Sequence, residues 1–167
     1  MSNLDPGLFE YVPENDFIDA FNRFGRGANF TVAARERLFE YYNDLAYEIG
    51  NMIEFDVIAI CGEWSEFEPL ELFRYFPELA AGLDVYEAFN YLREAEQEEL
   101  IEEHELEAEG GGCDLDGFPV SEIIEFHMTE DEVKDFLHDA LSETLFDAGC
   151  FYVEDEETWL VPSHAGL

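Results

Sequence analysis

Forty-two acidic side chains stand against seven basic ones in this chain of 167 residues, a formal charge of -35. Like charges at that density repel one another as the chain compacts. Such a sequence folds only if it holds enough apolar surface to offset both the repulsion and the entropy of ordering. It does, because hydrophobic residues make up 47% of it and aromatic ones 16%, with 16 Phe and 8 Tyr. A folded body of ordinary size under a strongly anionic surface is therefore expected. Direct binding of nucleic acid is excluded, since neutralising phosphates needs clustered Lys and Arg; Lys134 is the sole lysine and the arginines are scattered. Residues 1–12 lack the basic and apolar regions of a signal peptide, and no apolar run is long enough to span a membrane, so a cytoplasmic chain without membrane contact is expected. Cys61, Cys113 and Cys150 are odd in number and far apart, as for reduced thiols.

Periodicity and capping residues predict the elements. Asn15 as N-cap, apolar Phe17, Ile18, Phe21 and Phe24, and Gly25 as stop outline a first helix. A second runs from about Thr31 to Ile49, ended by Gly50. The β-branched run Ile53 to Cys61 reads as a buried central strand that includes Ile58 and Ile60. Ser65 and Glu68 have capping-box spacing for a short helix reaching Phe76. A long helix is expected from Asp84 to the triple glycine Gly110-Gly111-Gly112. Thr129 with Glu132 opens another, stopped by Gly149, and Cys150 to Val153 with Thr158 to Pro162 form a hairpin around Glu154-Asp155-Glu156-Glu157. The fold class is α+β, with helices packed on one face of a small, mainly antiparallel sheet and a long acidic helix inserted. The organisation read from this is a single domain, 1–167, with an acidic helical insertion at 77–117 that ends in the Gly-rich joint.

Charge concentrates on that insertion. Along one helix, Glu94, Glu98, Glu102, Glu105 and Glu109 form a stripe, and Glu99, Glu103 and Glu107 form a second beside it. Each stripe would repeat a charge every ~6 Å, and the two together every ~3 Å, close to the ~3.4 Å phosphate spacing of one DNA strand. Five like-charged i, i+4 pairs would cost about 1 to 2.5 kcal/mol of helix stability. Solubility alone does not require that cost. A second row, Glu36, Glu40, Asp44 and Glu48, lies on the second helix.

Other constellations are weaker. Asp114-Leu115-Asp116-Gly117 resembles part of a calcium loop, but an EF-hand register puts Gly112 and Ile123 where the key carboxylates belong. Glu54 and Asp56 offer a carboxylate pair for general acid-base work, and a solvent-facing strand side explains them equally well. His104, His127, His138 and His164 show no ligand spacing, and the serines lie in no nucleophile-elbow context. No metal, cofactor or catalytic residue is assigned from the sequence, and the protein is read as a non-enzyme.

Phe21-Asn22-Arg23-Phe24-Gly25-Arg26, Asn29-Phe30-Thr31, Leu38-Phe39-Glu40-Tyr41, Ile53 to Cys61 and Ser65-Glu66-Phe67 together resemble a family of small acidic proteins carried by phages and plasmids. The family typically ends in a short β-hairpin, as Cys150 to Val161 does in pattern. Cys61-Gly62 stands where the family often has two cysteines, and about fifty residues are inserted between the matching parts. The resemblance implies a mobile-element accessory protein. By analogy with anti-restriction and anti-CRISPR proteins, the expected function is an anti-defence DNA mimic. Its partner would be the basic DNA-binding channel of a host defence protein, met chiefly by Glu94, Glu98, Glu99, Glu102, Glu103, Glu105, Glu107 and Glu109, with a homodimer left open. Two other readings stand beside it. A coat adapted to high salt would fail at low ionic strength, and a small carboxylate-using, metal-dependent enzyme would lose activity with one amide substitution.

Overall fold

The computed structural model describes residues 12–106, 108–109 and 112–167. In chain order come α1 (Glu14–Arg23), α2 (Val32–Ile49), α3 (Val57–Glu63), β1 (Trp64–Phe67), α4 (Pro69–Tyr75), a 3-10 helix (Pro77–Gly82), α5 (Val85–Tyr91) and α6 (Glu94–Glu103). After them follow β2 (Ala108–Glu109), β3 (Gly112–Cys113), α7 (Val120–Glu122), a π-helical turn (Ile123–His127), α8 (Glu130–Asp147), β4 (Phe151–Val153) and β5 (Thr158–Pro162). The class is α+β, 61% helical with a three-stranded antiparallel sheet in the order β1-β5-β4. The chain divides into two compact units. One comprises the described residues up to Glu66 with Phe151–Ala165; the other comprises Phe67–Cys150 with the last two residues. The segment 77–117 falls within the second.

In the first unit the predicted aromatic core is present. Phe17 and Phe21 of α1 pack on Phe30, Leu38 of α2, Trp64 of β1 and Leu160 of β5, all buried. β5 is central in its sheet and buried along its whole length, and it pairs with β4 in the register Phe151↔Leu160, Tyr152↔Trp159, Val153↔Thr158. α2 starts where Thr31 Oγ1 accepts from Ala34 N and ends at Gly50, whose φ of 64° is the left-handed stop expected there. Two polar groups tie the unit together from inside. Glu66 accepts from the Thr31 amide at 2.6 Å, from Thr31 Oγ1 at 2.8 Å and from Thr158 Oγ1 at 2.6 Å, which links the N-terminus of α2 to β1 and β5. Arg35, only 4% exposed, donates to the carbonyls of Phe30, Ile18 and Gly27 and to Asn22 Oδ1. A Cβ at Gly27 would press on the Asn22 side chain and force it to shift from its contact with Arg35.

In the second unit, α4 and α5 pack against α8, whose Val133, Phe136, Leu137, Leu141 and Leu145 are buried as the 3.6-residue period predicts. Thr129 and Glu132 form the expected capping box, with Thr129 N donating to Glu132 Oε2 at 2.8 Å and Glu132 N to Thr129 Oγ1 at 3.3 Å. Gly149 takes a φ of 82° just past the end of α8.

Four expectations are corrected. The run Ile53 to Cys61 is not a strand: residues 53–56 have no regular structure, and Val57 starts a helix because Asp56 Oδ1 accepts from Ile58 N at 2.8 Å and Ala59 N at 3.1 Å. Cap chemistry here overrides β-branched propensity, Val57 and Ile60 turn inward at i, i+3, and Ile58 is left 49% exposed. The first strand is instead Trp64–Phe67, so Ser65 lies in a strand and the short helix is capped from Glu68, whose amide donates to Glu71 Oε2. The N-cap of α1 is Pro13 rather than Asn15.

The fourth correction is the long acidic helix, which is two short ones. Leu92 and Arg93 are extended, with ψ of 145° and 156°. Burial of Leu92 favours the break, and Gln97 Nε2 caps the end of α5 by donating to the carbonyls of Phe89 and Leu92, both at 3.0 Å. α6 then stops at Glu103 in a Schellman turn: Leu106 N donates to Ile101 O at 3.0 Å and Glu105 N to Glu102 O at 3.4 Å, with Glu105 left-handed at φ 49°. A longer helix would add like-charged i, i+4 pairs at a cost of about 0.2 to 0.5 kcal/mol each.

The corrected position of Ile58 reverses a natural expectation for mutagenesis. Ile58→Asp should leave thermal stability within about 0.5 kcal/mol of the parent, as for other exposed sites. Ile60→Asp, which buries an unpaired charge, should prevent cooperative folding. Circular dichroism melts of both variants check this; loss of folding in Ile58→Asp would return the segment to a buried strand.

Candidate functional site

The expected primary face is only partly regular. Glu94, Glu98, Glu99, Glu102 and Glu103 lie on α6 and are all exposed. Ten residues give it about 15 Å of axis. Glu105 is exposed but sits past the helix end in the left-handed turn, and Glu109 belongs to β2, paired with Gly112 in a two-stranded ladder. Glu107 and the glycines Gly110 and Gly111 lie outside the described residues. The two stripes therefore keep Glu94-Glu98-Glu102 and Glu99-Glu103, and the first does not continue on the helix to Glu105 and Glu109. At the start of α6, Arg93 bonds Glu96 and stands 3.5 Å from Glu132, so one of the few cations is engaged there.

The expected secondary row is regular throughout. Glu36, Glu40, Asp44 and Glu48 are exposed on the unbroken α2 and span about 18 Å at ~1.5 Å per residue. Across a groove of about 330 Å³ stand Glu154 and Asp155 of the β4–β5 turn, with Glu36, Arg37 and Glu40 on the α2 side. Arg37 lies over the Phe151 ring at 4.5 Å and reaches Glu40 at 3.2 Å, which holds the helix against the hairpin. The groove thus has carboxylates on both walls of one unit. Sequence reading identified the acidic turn as a turn and missed its place opposite α2; no local signal carries a contact between elements more than a hundred residues apart. Glu157, in the same turn, adopts a φ of 54°, a conformation in which an L side chain is strained.

The remaining candidates are mostly occupied by structural tasks. Asp56 is the N-cap of α3, so it is no partner for Glu54 in a carboxylate pair. Glu54 instead borders an apolar cavity of about 330 Å³ lined by Phe17, Phe39, Tyr42, Met52, Ile53 and Phe55. Asp114 accepts from the amide of Asp116, whose carboxylate in turn accepts from Tyr86 Oη at 3.0 Å, and this closes the loop on itself. Among the displaced titratable groups, a hydrogen bond to Asp139 pushes the Tyr91 phenol up to about 12, and burial pushes the Cys150 thiol up to about 11. One cluster has the chemistry of metal ligands. Glu103, His104 and His127 each place a donor atom within 4.8 Å of the others. Twenty-three residues separate the two histidines, so spacing alone gave no sign of it.

No family model, no curated protein and no solved structure matches the chain. No helix among the described residues is long and apolar enough to cross a membrane.

Two expectations follow from this geometry. Glu157→Gly relieves left-handed strain and should raise stability by about 1 kcal/mol, visible as a Tm a few degrees higher; an unchanged or lower Tm would contradict the strain. For Cys150, the folded value lies above the ordinary 9.0, so its stabilising contribution is complete below about pH 9 and lost as pH rises through about 11. Melts across that window should show the decline, and Cys150→Ala should lessen it, most clearly between about pH 9 and 10, below the onset of tyrosine ionisation.

Proposed function

We propose that the protein is a nucleic-acid mimic, an anti-defence inhibitor from a phage or other mobile element that occupies the DNA-binding site of a host CRISPR effector or restriction enzyme. The observation that carries this reading is the α2 face: four carboxylates on one unbroken helix, of which Glu36 and Glu40 face Glu154 and Asp155 across a groove. Like-charged i, i+4 neighbours destabilise a helix, and here three successive pairs are kept on an element that also supports the core. A basic channel evolved for DNA would gain from that array the same Coulomb attraction and ion release that it gains from phosphates. The array offers no scissile phosphodiester, so the channel is filled without turnover. α6 supplies a second, shorter anionic face in the other unit.

The relative weight of the two faces is open to direct measurement. A host protein captured on the immobilised chain should be eluted by duplex DNA. Glu40→Gln, Asp44→Asn and Glu48→Gln together should lower its affinity by about tenfold or more, while removing three repulsive pairs raises stability by roughly 0.6 to 1.5 kcal/mol. The matching change of Glu98, Glu102 and Glu105 to Gln should weaken binding less, because the helix that aligned them ends at Glu103. A coat adapted to high salt would be indifferent to either triple. If both variants bind like the parent, or nothing elutable by DNA is captured, the mimic reading fails.

A further inference from the structure

The cluster at the end of α6 is independent of the anionic faces and lies within the second unit. Its first half is built by the Schellman turn. α6 stops at Glu103, His104 caps it, and the left-handed Glu105 turns the chain away, so Glu103 and His104 are presented side by side where the helix dipole is negative. Its second half comes from α7 and the π-helical turn. Met128 N donates to Ile123 O at 3.0 Å, an i to i+5 bond that inserts one residue into the helical path and carries His127 inward. The His127 side chain is only 6% exposed. Turns of this kind are frequent at functional sites, where the extra residue re-aims a side chain against a cost in helix geometry.

The halves meet at bonding distances. His104 Nε2 stands 3.4 Å from Glu122 Oε1, and His127 Nε2 stands 3.9 Å from Glu103 Oε2. The two imidazoles are 5.8 Å apart between ring centres, and the edge of one ring against Phe118 at 5.0 Å fixes the orientation of His104. Tetrahedral zinc, with bonds of about 2.0 to 2.2 Å to nitrogen and oxygen, holds its donors roughly 3.3 Å from one another. The donor atoms of Glu103, His104 and His127 lie within 4.8 Å of one another, so closing to that value takes side-chain movements of up to about 1.5 Å, and Glu103 is at the surface.

We propose that Glu103, His104 and His127 form a binding site for a first-row divalent metal ion of the zinc type. Two imidazoles with a carboxylate suit a borderline cation, whereas calcium and magnesium prefer six or more oxygens. Three protein donors from the end of α6 and the π-helical turn let the ion tie these two segments together, and Glu122, 3.4 Å from His104 Nε2, stands beside the site. The ion adds positive charge to a chain with few cations, which is a source of stability the sequence otherwise lacks.

The test uses the full chain, stripped with a chelator and then titrated with Co2+ and Zn2+ in moderate salt and excess Mg2+, which fills non-specific carboxylate sites. One equivalent of Co2+ should give the intense visible absorption of a four-coordinate ion, and one equivalent of Zn2+ should bleach it. At Zn2+ about one hundred times the dissociation constant, Tm should rise by roughly 5 to 10 °C. His104→Ala and Glu103→Gln, both at positions that solvent reaches, should keep the circular dichroism spectrum and lower Zn2+ affinity at least about tenfold; Glu78→Gln, which removes a charge elsewhere, should not. A weak six-coordinate cobalt spectrum, an unsaturable titration, or equal Zn2+ affinity in parent and both ligand variants would overturn the site and leave two ordinary histidine-carboxylate contacts.

Discussion

Uncompensated negative charge is the constraint from which the rest of this structure follows. With 42 acids and 7 bases, a carboxylate has few cations to pair with, so acids must reach water or find neutral donors. Glu66, half-buried, does the latter: an amide and two hydroxyls satisfy it, and no cation is needed. The same scarcity shapes the buried arginine. Arg35 is held by backbone carbonyls and one side-chain amide, which leaves its charge balanced by dipoles where an ordinary protein would use Asp or Glu. Among the described residues His127 and Thr158 are the other buried polar side chains, and the rest of the interior is apolar. The apolar packing of each unit thus carries the stability that surface ion pairs supply only weakly in other proteins.

Repulsion also accounts for the brevity of the acidic helices. α2 extends over 18 residues because its other faces bury Ala34 and Leu38 and anchor Arg35. α6 buries only Leu100 and ends after ten residues. A helix whose charged row has little buried surface to offset it cannot be prolonged, and Glu105 takes a left-handed conformation instead. The regular array therefore lies on α2, where packing fixes it, and the densest run of acids in the sequence is the less regular face.

What could be read from the sequence was what is encoded locally. Thr31, Asp84 and Thr129 cap helices as their side-chain chemistry dictates, Gly25, Gly50 and Gly149 stop them in left-handed conformations, and the hairpin around the acidic turn pairs in register. Misreadings arose where a tertiary term decided. Val57 to Cys61 has strand-like composition, yet one aspartate cap and inward placement of Val57 and Ile60 make it helical. No glycine or proline marks the break at Leu92 and Arg93, which depends on burying Leu92 and on Gln97 reaching back to two carbonyls. The facing of α2 by Glu154 and Asp155, and the meeting of His104 with His127, are long-range contacts with no periodic trace.

Salt dependence probes most directly the proposed role of the α2 face as a surrogate for a phosphate backbone. The logarithm of the partner's affinity for the purified chain, measured against the logarithm of salt concentration, should fall steeply and linearly, with a slope comparable to that of the same partner with duplex DNA. A flat dependence, with affinity unchanged between low and moderate salt, would mean that the interface is apolar and that the charge serves another purpose.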